Sequence, residues 1–221
     1  RLVLTPSEAV RREACMRFGL DADRVEAIPH GISRQAGEAN PGLAGELGAR
    51  PPFLLYLGAA GPRKNLDVTV EAWLAARRRE PSLSFVLAGP GTERFAGRHD
   101  GLLGLGTVSQ PRAESLLATT AGFVYPSLYE GFGLPIAEAM RAGAPVLISS
   151  DPALVETAGG AALDMAPDAV EEWTQAMVSI LRDTGLASDL RRRATQRAAA
   201  FDWRVTAART RAAYERAIRR R

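Results

Sequence analysis

The chain has 221 residues, 46% apolar and 24% charged, a composition that suits one globular domain with an extension and excludes a disordered chain. Its longest apolar stretches, around Phe53–Leu57 and Phe85–Ala88, are strand-sized and far short of the ~20 residues of a membrane helix. A single cysteine, Cys15, excludes an internal disulfide or a cysteine-built zinc cluster, and two histidines, His30 and His99, argue against a histidine-built metal site.

The net charge of +3 conceals a split, because residues 191–221 carry eleven Arg against Asp202 and Glu215 and leave the rest of the chain acidic. A single lysine, Lys64, stands among the arginines, which makes its position informative. No secretory signal opens the sequence, and a reducing, cytoplasmic setting is the default expectation. Starting at Arg1 inside an apolar segment, the sequence reads as a piece of a longer protein.

In chain order, Leu2–Leu4 reads as a strand, and Thr5-Pro6-Ser7-Glu8 as a helix start with Thr5 as cap and Pro6 in the first position. The helix would run through Val10, Ala14 and Phe18, with Cys15 as packing, and close at Gly19. A short strand at Val25–Ile28 leads to the turn Pro29-His30-Gly31, and residues 32–50 read as a loop with one helical turn.

Phe53–Leu57 is a buried strand, followed by the turn Gly58–Asn65 and a helix with Leu66, Val70, Trp73 and Leu74 on one face. Phe85–Ala88, Leu102–Leu105, Gly122–Tyr125 and Pro145–Ser149 are further strands, with helices near Ala113–Thr120 and Leu134–Ala142. From Ala169 onward the pattern is helical. This alternation predicts an α/β fold, a Rossmann-like parallel sheet with helices on both faces, over residues 1–190, with a basic helical extension over 191–221. Ligands of such sheets bind at the carboxyl ends of the strands. The segments Gly58–Asn65, Gly89–Gly91, Thr107–Ser109 and Pro126–Gly133 fall there.

Two of these segments carry chemistry. In Pro126–Glu138, Gly131 and Gly133 allow close backbone approach, and Pro135 starts a helix whose free amides and dipole suit an anion such as a diphosphate. Glu138 lies about one turn (~6 Å) into that helix. Glu130 stands on the loop ahead of it, so two carboxylates able to accept from vicinal hydroxyls flank the anion position. The same spacing also fits a tight turn with dipole stabilisation, or a general acid/base pair as in hydrolases. In Arg63-Lys64-Asn65, the first two side chains suit phosphate oxygens and Asn65 is placed to cap the next helix; a solvated basic loop is the plainer reading. The glycine spacing is not that of a Walker loop.

Taken together, Phe53–Leu66, Val86–Gly91, Phe123–Glu138 and Arg197–Trp203 resemble the C-terminal domain of family 4 GT-B retaining glycosyltransferases (glycosyl transferases group 1). Ile28-Pro29-His30-Gly31 is similar to an early marker of that family, and the likeness runs in order from Val3 to Tyr214. The resemblance implies that Arg63 and Lys64 hold the donor diphosphate and stabilise the leaving group without a metal or other cofactor. It places Glu130 and the backbone of Gly131, Phe132, Gly133 and Leu134 at the donor sugar and β-phosphate. Glu138 would meet the ribose, Gly58 would line the donor turn, and the backbone near Val108 would meet the base. It further implies front-face transfer of a hexose, with retention, onto a glycan or lipid-linked acceptor held by an N-terminal domain that nothing here matches. The fragment alone is therefore expected to bind donor and to transfer poorly or not at all.

Departures from the family pattern are Ala59, where many members carry Arg, and Leu154–Gly160, where Gly160 replaces an acid. Readings left open are a non-catalytic nucleotide-sugar-binding or regulatory module and a GT-B-fold sugar-nucleotide epimerase. The basic tail, with Trp203, Ala207, Tyr214 and Ile218 on one stripe, reads as a packing helix. Peripheral membrane association of the parent at the inner face stays open, whereas nucleic-acid binding is not expected, because no aromatic-interleaved basic motif is present.

Overall fold

A computed structural model of the chain describes residues 2–32 and 37–219. Arg1, residues 33–36 and the last two arginines of the basic tail lie outside the described residues. The chain opens with β1 (Val3–Thr5), α1 (Glu8–Phe18), β2 (Val25–Ala27) and the single turn α2 (Leu43–Glu46). Next come β3 (Phe53–Leu57), α3 (Leu66–Arg77), β4 (Ser84–Ala88), β5 (Leu102–Gly104), α4 (Gln110–Thr119) and β6 (Gly122–Tyr125). The rest comprises α5 (Leu134–Arg141), β7 (Val146–Ser149), α6 (Pro152–Ala158), β8 (Leu163–Met165), α7 (Val170–Arg182), α8 (Thr184–Ala198) and α9 (Trp203–Arg219).

Strands β3 to β8 form one parallel sheet in the order β5-β4-β3-β6-β7-β8, the Rossmann-like arrangement expected from the alternation. Leu55 sits between Val86 on one side and Phe123 on the other. The apolar runs of β3, β4, β6 and β7 are buried almost throughout, as strands covered on both faces must be. The chain leaves β3 toward β4 and β5, then returns to add β6 on the opposite side. The order therefore reverses between β3 and β6, which opens a crevice beyond their carboxyl ends.

The cover is specific. Trp73 of α3 is fully buried against Phe85, and its indole N–H donates to the Leu83 carbonyl at 3.2 Å. Thr174 of α7 donates to the Ala72 carbonyl of α3 at 3.2 Å, so these two helices lock together. Gly122 opens β6 because Ile180 of α7 fills the space beside it: a Cβ there would lie 2.3 Å from Ile180 Cδ1.

Several local expectations are revised. β1 and β2 pair in parallel with each other, not with the six-stranded sheet, so the first two strands form a second, small sheet. Ser7, not Thr5, caps α1, accepting from the Val10 amide at 3.2 Å, because Thr5 is the last paired residue of β1. α1 has no fully buried residue, and Cys15 is only partly covered. β8 escaped the sequence reading because a three-residue edge strand, Leu-Asp-Met, carries no alternation to detect. The division at 190/191 falls inside α8, whose Leu190, Ala194 and Ala198 are buried, so the helix belongs to the packed body. On α9 the stripe Trp203, Tyr214 and Ile218 is exposed. The opposite side meets the chain through Thr206 to the Pro29 carbonyl and Arg209 to the Ala27 carbonyl.

Candidate functional site

The floor of the crevice is two backbones in near contact. Gly89, at the end of β4, has φ of 124°, and a Cβ there would lie 2.2 Å from the carbonyl oxygen of Gly58, just after β3. The Ala60 amide donates to the Pro90 carbonyl at 2.8 Å and extends this contact along the loops. Gly58 itself has φ of 153°. The turn then tightens into a 3₁₀ segment, Pro62–Lys64.

Asn65 follows in the left-handed region, and its side chain does not cap α3: the amide donates to the Pro167 carbonyl at 2.7 Å. This bond ties the turn to the segment after β8, a tether between residues too far apart in sequence for capping rules to anticipate. The turn is also stapled to the loop after β6. The Arg63 carbonyl accepts from the Leu128 amide at 2.9 Å and from the Ser127 hydroxyl at 3.3 Å, while the Arg63 guanidinium donates to the Tyr129 carbonyl at 2.8 Å.

Inside this staple sit Lys64 and Glu130, side chains only 14% and 12% exposed, joined as an ion pair. Glu130 Oε1 also accepts from the Ser127 hydroxyl at 2.7 Å and the Tyr125 hydroxyl at 3.2 Å, and Tyr125 accepts from Lys64 Nζ at 2.7 Å. Burial alone would raise the Glu130 carboxyl. The bonds from Lys64 and Ser127, with the charges of Lys64 and Arg63, outweigh burial and leave it below the ordinary value. Lys64 and Glu130 were assigned to the same site from separate segments, and the structure brings them into contact.

The Gly131–Leu134 stretch is held from behind. The Gly131 carbonyl accepts from Ser7 at 2.7 Å and the Phe132 carbonyl from Thr157 at 2.6 Å. Phe132 is buried edge-on between His30 and Phe201, with ring centroids 5.3 Å away in each case. Gly133 has φ of 89°, and a Cβ there would lie 2.5 Å from Leu154 Cδ2. Among the described residues nothing accepts from the amides of Phe132, Gly133 or Leu134, so α5 begins with open donors at its positive dipole end, an arrangement that suits an anion. Within the Leu154–Gly160 motif, Glu156 accepts from the Glu8 and Ala9 amides of α1, each at 2.8 Å, and satisfies the donors that open that helix.

Glu138 is half-buried on α5, and no described residue donates to its carboxylate. Burial first, then the negative charge of Glu114, raises its pKa. A carboxyl whose folded pKa is raised takes stability away as pH rises through its unfolded value toward the folded one, so ionised Glu138 is a cost near neutrality. Glu138→Gln is therefore expected to raise Tm at pH 7.5 while weakening nucleotide binding. Calorimetric unfolding together with titration checks this, and a lower Tm with unchanged affinity would make Glu138 structural.

Val108 stands at the same rim, between β5 and α4, partly buried on the core, and no described contact joins it to the Lys64–Glu130 cluster. Sequence reasoning missed Tyr125, Ser127 and Asp151. Asp151 caps α6 and accepts from the Glu130 amide at 3.4 Å. Only the three-residue spacing of Ser127 and Glu130 could have signalled this part of the cluster. Beside the site, a cleft of about 720 Å³ runs between α1, the loop carrying Leu128–Glu130 and the start of α6 at Asp151–Ala153. Among the described residues no group of His, Cys, Asp and Glu is placed to hold a metal ion, and no helix is long and apolar enough to cross a membrane.

A family model described as Glycosyl transferases group 1 matches residues 51–183. O-antigen chain mannosyltransferase B of Escherichia coli is 31% identical over 97% of this chain and 60% of its own length. MMP alpha-(1->4)-mannosyltransferase of Mycolicibacterium hassiacum is 29% identical over 99% of this chain and 54% of its own. The chain thus spans little more than half the length of these curated relatives. Among solved structures, Anabaena Alr3699/HepE in complex with UDP and glucose superposes with a TM-score of 0.85 at 21% identity, covering 97% of this chain and 63% of that one, a likeness of fold.

Proposed function

We propose that this chain, which belongs to the glycosyl transferases group 1 family, is the donor-binding part of a retaining glycosyltransferase of the GT-B fold that uses a nucleotide-diphosphate sugar. The observation that carries the reading is that the Lys64–Glu130 ion pair and the bond from Arg63 to the Tyr129 carbonyl hold the turn after β3 against the loop that leads into the open amides of Phe132–Leu134. Fixed cations and a helix start together suit a diphosphate, and this is the chemistry we assign to them in place of a metal. Glu138, with its carboxylate open to a polyol, would take the ribose, and Glu130 and the Gly131–Leu134 backbone the sugar. Gly58 would line the donor turn and Val108 the base.

In the transfer step the acceptor hydroxyl bonds to the anomeric carbon as the bond from that carbon to the β-phosphate oxygen breaks. The departing nucleoside diphosphate keeps the electron pair and takes the acceptor proton. Arg63 and Lys64 would stabilise the charge that grows on the leaving oxygen. No protein nucleophile is needed on this route. The mannosyltransferase names of the relatives support a hexosyl donor and a glycan or lipid-linked acceptor, with a role in polysaccharide biosynthesis. The acceptor would be held by a part of the parent outside this chain, so the chain alone would bind donor and transfer little. The lone cysteine supports a cytoplasmic setting, with access to acceptors at the inner membrane face.

Titration of the chain with UDP, GDP and ADP, without magnesium and then with EDTA, tests the proposal. Binding of one nucleotide, insensitive to EDTA and weakened in Glu138→Gln, is the expected result. A folded chain that binds none of the three, while the full-length parent also binds none, overturns it.

A further inference from the structure

The Lys64–Glu130 pair poses a problem for the site just proposed. A lysine already paired with a buried carboxylate must turn part of its charge toward an arriving diphosphate, and two anions then compete for one ammonium. Whatever keeps Lys64 in place as it turns, and keeps Glu130 satisfied as it lets go, sets the affinity for the diphosphate.

Tyr125 is built to do both. It is the last residue of β6 and 2% exposed, with its ring stacked on Tyr56 and on Phe123 at centroid distances of 5.8 and 5.9 Å. Stacking on both rings leaves its hydroxyl little freedom to move. That hydroxyl accepts from Lys64 Nζ at 2.7 Å and donates to Glu130 Oε1 at 3.2 Å, so it touches both members of the pair. Burial, then the negative charge of Glu130, pushes its pKa well above the ordinary tyrosine value, and the proton needed for donation stays on. The neighbouring Tyr56 hydroxyl points elsewhere, to the Ala59 carbonyl at 2.8 Å, and is a matched control.

We infer that Tyr125 is a positioning residue for diphosphate binding: its hydroxyl is the fixed pivot of Lys64 and the donor that holds Glu130 when Lys64 turns to the phosphates. The inference rests on the donor-site reading above and adds a specific role within it. With the hydroxyl gone, Glu130 keeps only Ser127 besides Lys64 and grips the lysine harder, while the lysine loses its anchor. A hydrogen bond to a charged group is worth ~1.5–3 kcal/mol, which corresponds to roughly a tenfold or larger loss in diphosphate affinity.

The experiment compares the wild-type chain with Tyr125→Phe and Tyr56→Phe by titration with UDP, GDP and ADP and with the matching monophosphates. Tyr125→Phe should weaken the diphosphate that binds by about tenfold and leave its monophosphate within about twofold, and Tyr56→Phe should change neither. In a Lys64→Met background, Tyr125→Phe should add no further loss. Equal weakening of diphosphate and monophosphate, or no weakening, overturns the inference while the donor-site reading stands. Failure of the wild-type chain and its full-length parent to bind any of the three overturns both.

Because Lys64 is the only lysine, lysine labelled with ¹⁵N gives one side-chain resonance, which supplies a readout on the wild-type protein even if a variant folds poorly. It should shift on adding the diphosphate, and its proton exchange should be slow both without and with the ligand. Exchange that becomes fast in the complex would show that the hydroxyl does not hold the ammonium, and the inference would fail.

Discussion

Replacing Lys64 with alanine is expected to raise the dissociation constant for a nucleoside diphosphate about a hundredfold and to cost about 2–3 kcal/mol of stability, with the stability loss largest near neutral pH. The binding loss follows from removing a charge aimed at phosphate. The stability loss has a different origin. Glu130 is 12% exposed at its side chain and would be left in the crevice with Ser127, Tyr125 and Arg63 but no adjacent cation as close as Lys64. The figure is set below that for a fully buried pair because both side chains retain some solvent contact.

The pH dependence follows from the direction of the shift. In the wild-type chain the Glu130 carboxyl lies below its ordinary value, so its contribution is present above the unfolded pKa and is lost as pH falls through the folded one. Removing Lys64 takes away the largest of the effects that oppose burial, so the folded pKa should rise and the stabilising contribution of the ionised carboxylate should shrink. The gap between the two proteins should therefore narrow on acidification. Urea unfolding at pH 7.5 and at roughly pH 3, below the ordinary carboxylate value, checks this, and a gap of equal size at both would mean the pair contributes packing and not charge.

Gly89→Ala should be the most damaging single methyl in the crevice, costing about 3 kcal/mol or more and lowering Tm by about 6–12 °C. Its φ of 124° is strained for any L side chain, and the new Cβ would lie 2.2 Å from the Gly58 carbonyl oxygen. Neither partner is a flexible side chain, so the loops after β3 and β4 would have to separate. The turn that carries Arg63 and Lys64 continues directly from that contact, and nucleotide binding should fall with stability. Gly61→Ala is the control on the same turn: its φ is −136° and nothing lies within 4 Å of its Cβ position. Differential scanning calorimetry of the two variants decides the matter, and equal Tm values would show that the close approach of the two backbones is not what holds the crevice.

The fold was legible for a physical reason. Strands buried on both faces must be apolar along their whole length, and the segments at Phe53, Phe85, Gly122 and Val146 have that composition. Turn glycines and the proline at the start of α5 mark where the strands end, and in a parallel sheet those ends are where ligands bind. Glu130, Arg63 and Lys64 could therefore be named as candidates from their places on such loops, and Glu138 from its place one turn into the helix that follows. Where local chemistry was used without tertiary context it failed. Thr5 and Asn65 both look like helix caps, but one is consumed by strand pairing with β2 and the other reaches to Pro167.

Sequence alone determined the α/β alternation, the position of the loops at the ligand edge and the residue types that could meet a diphosphate and a polyol, since each of these depends on patterns within a few residues. Tertiary structure decided which atoms meet. The reversal of strand order between β3 and β6 sets Lys64 beside Glu130 and Tyr125, residues more than sixty positions further along the chain. It also joined α1 to Glu156 and put β1 and β2 into a sheet of their own. Such contacts depend on how whole elements pack, and no local spacing encodes them.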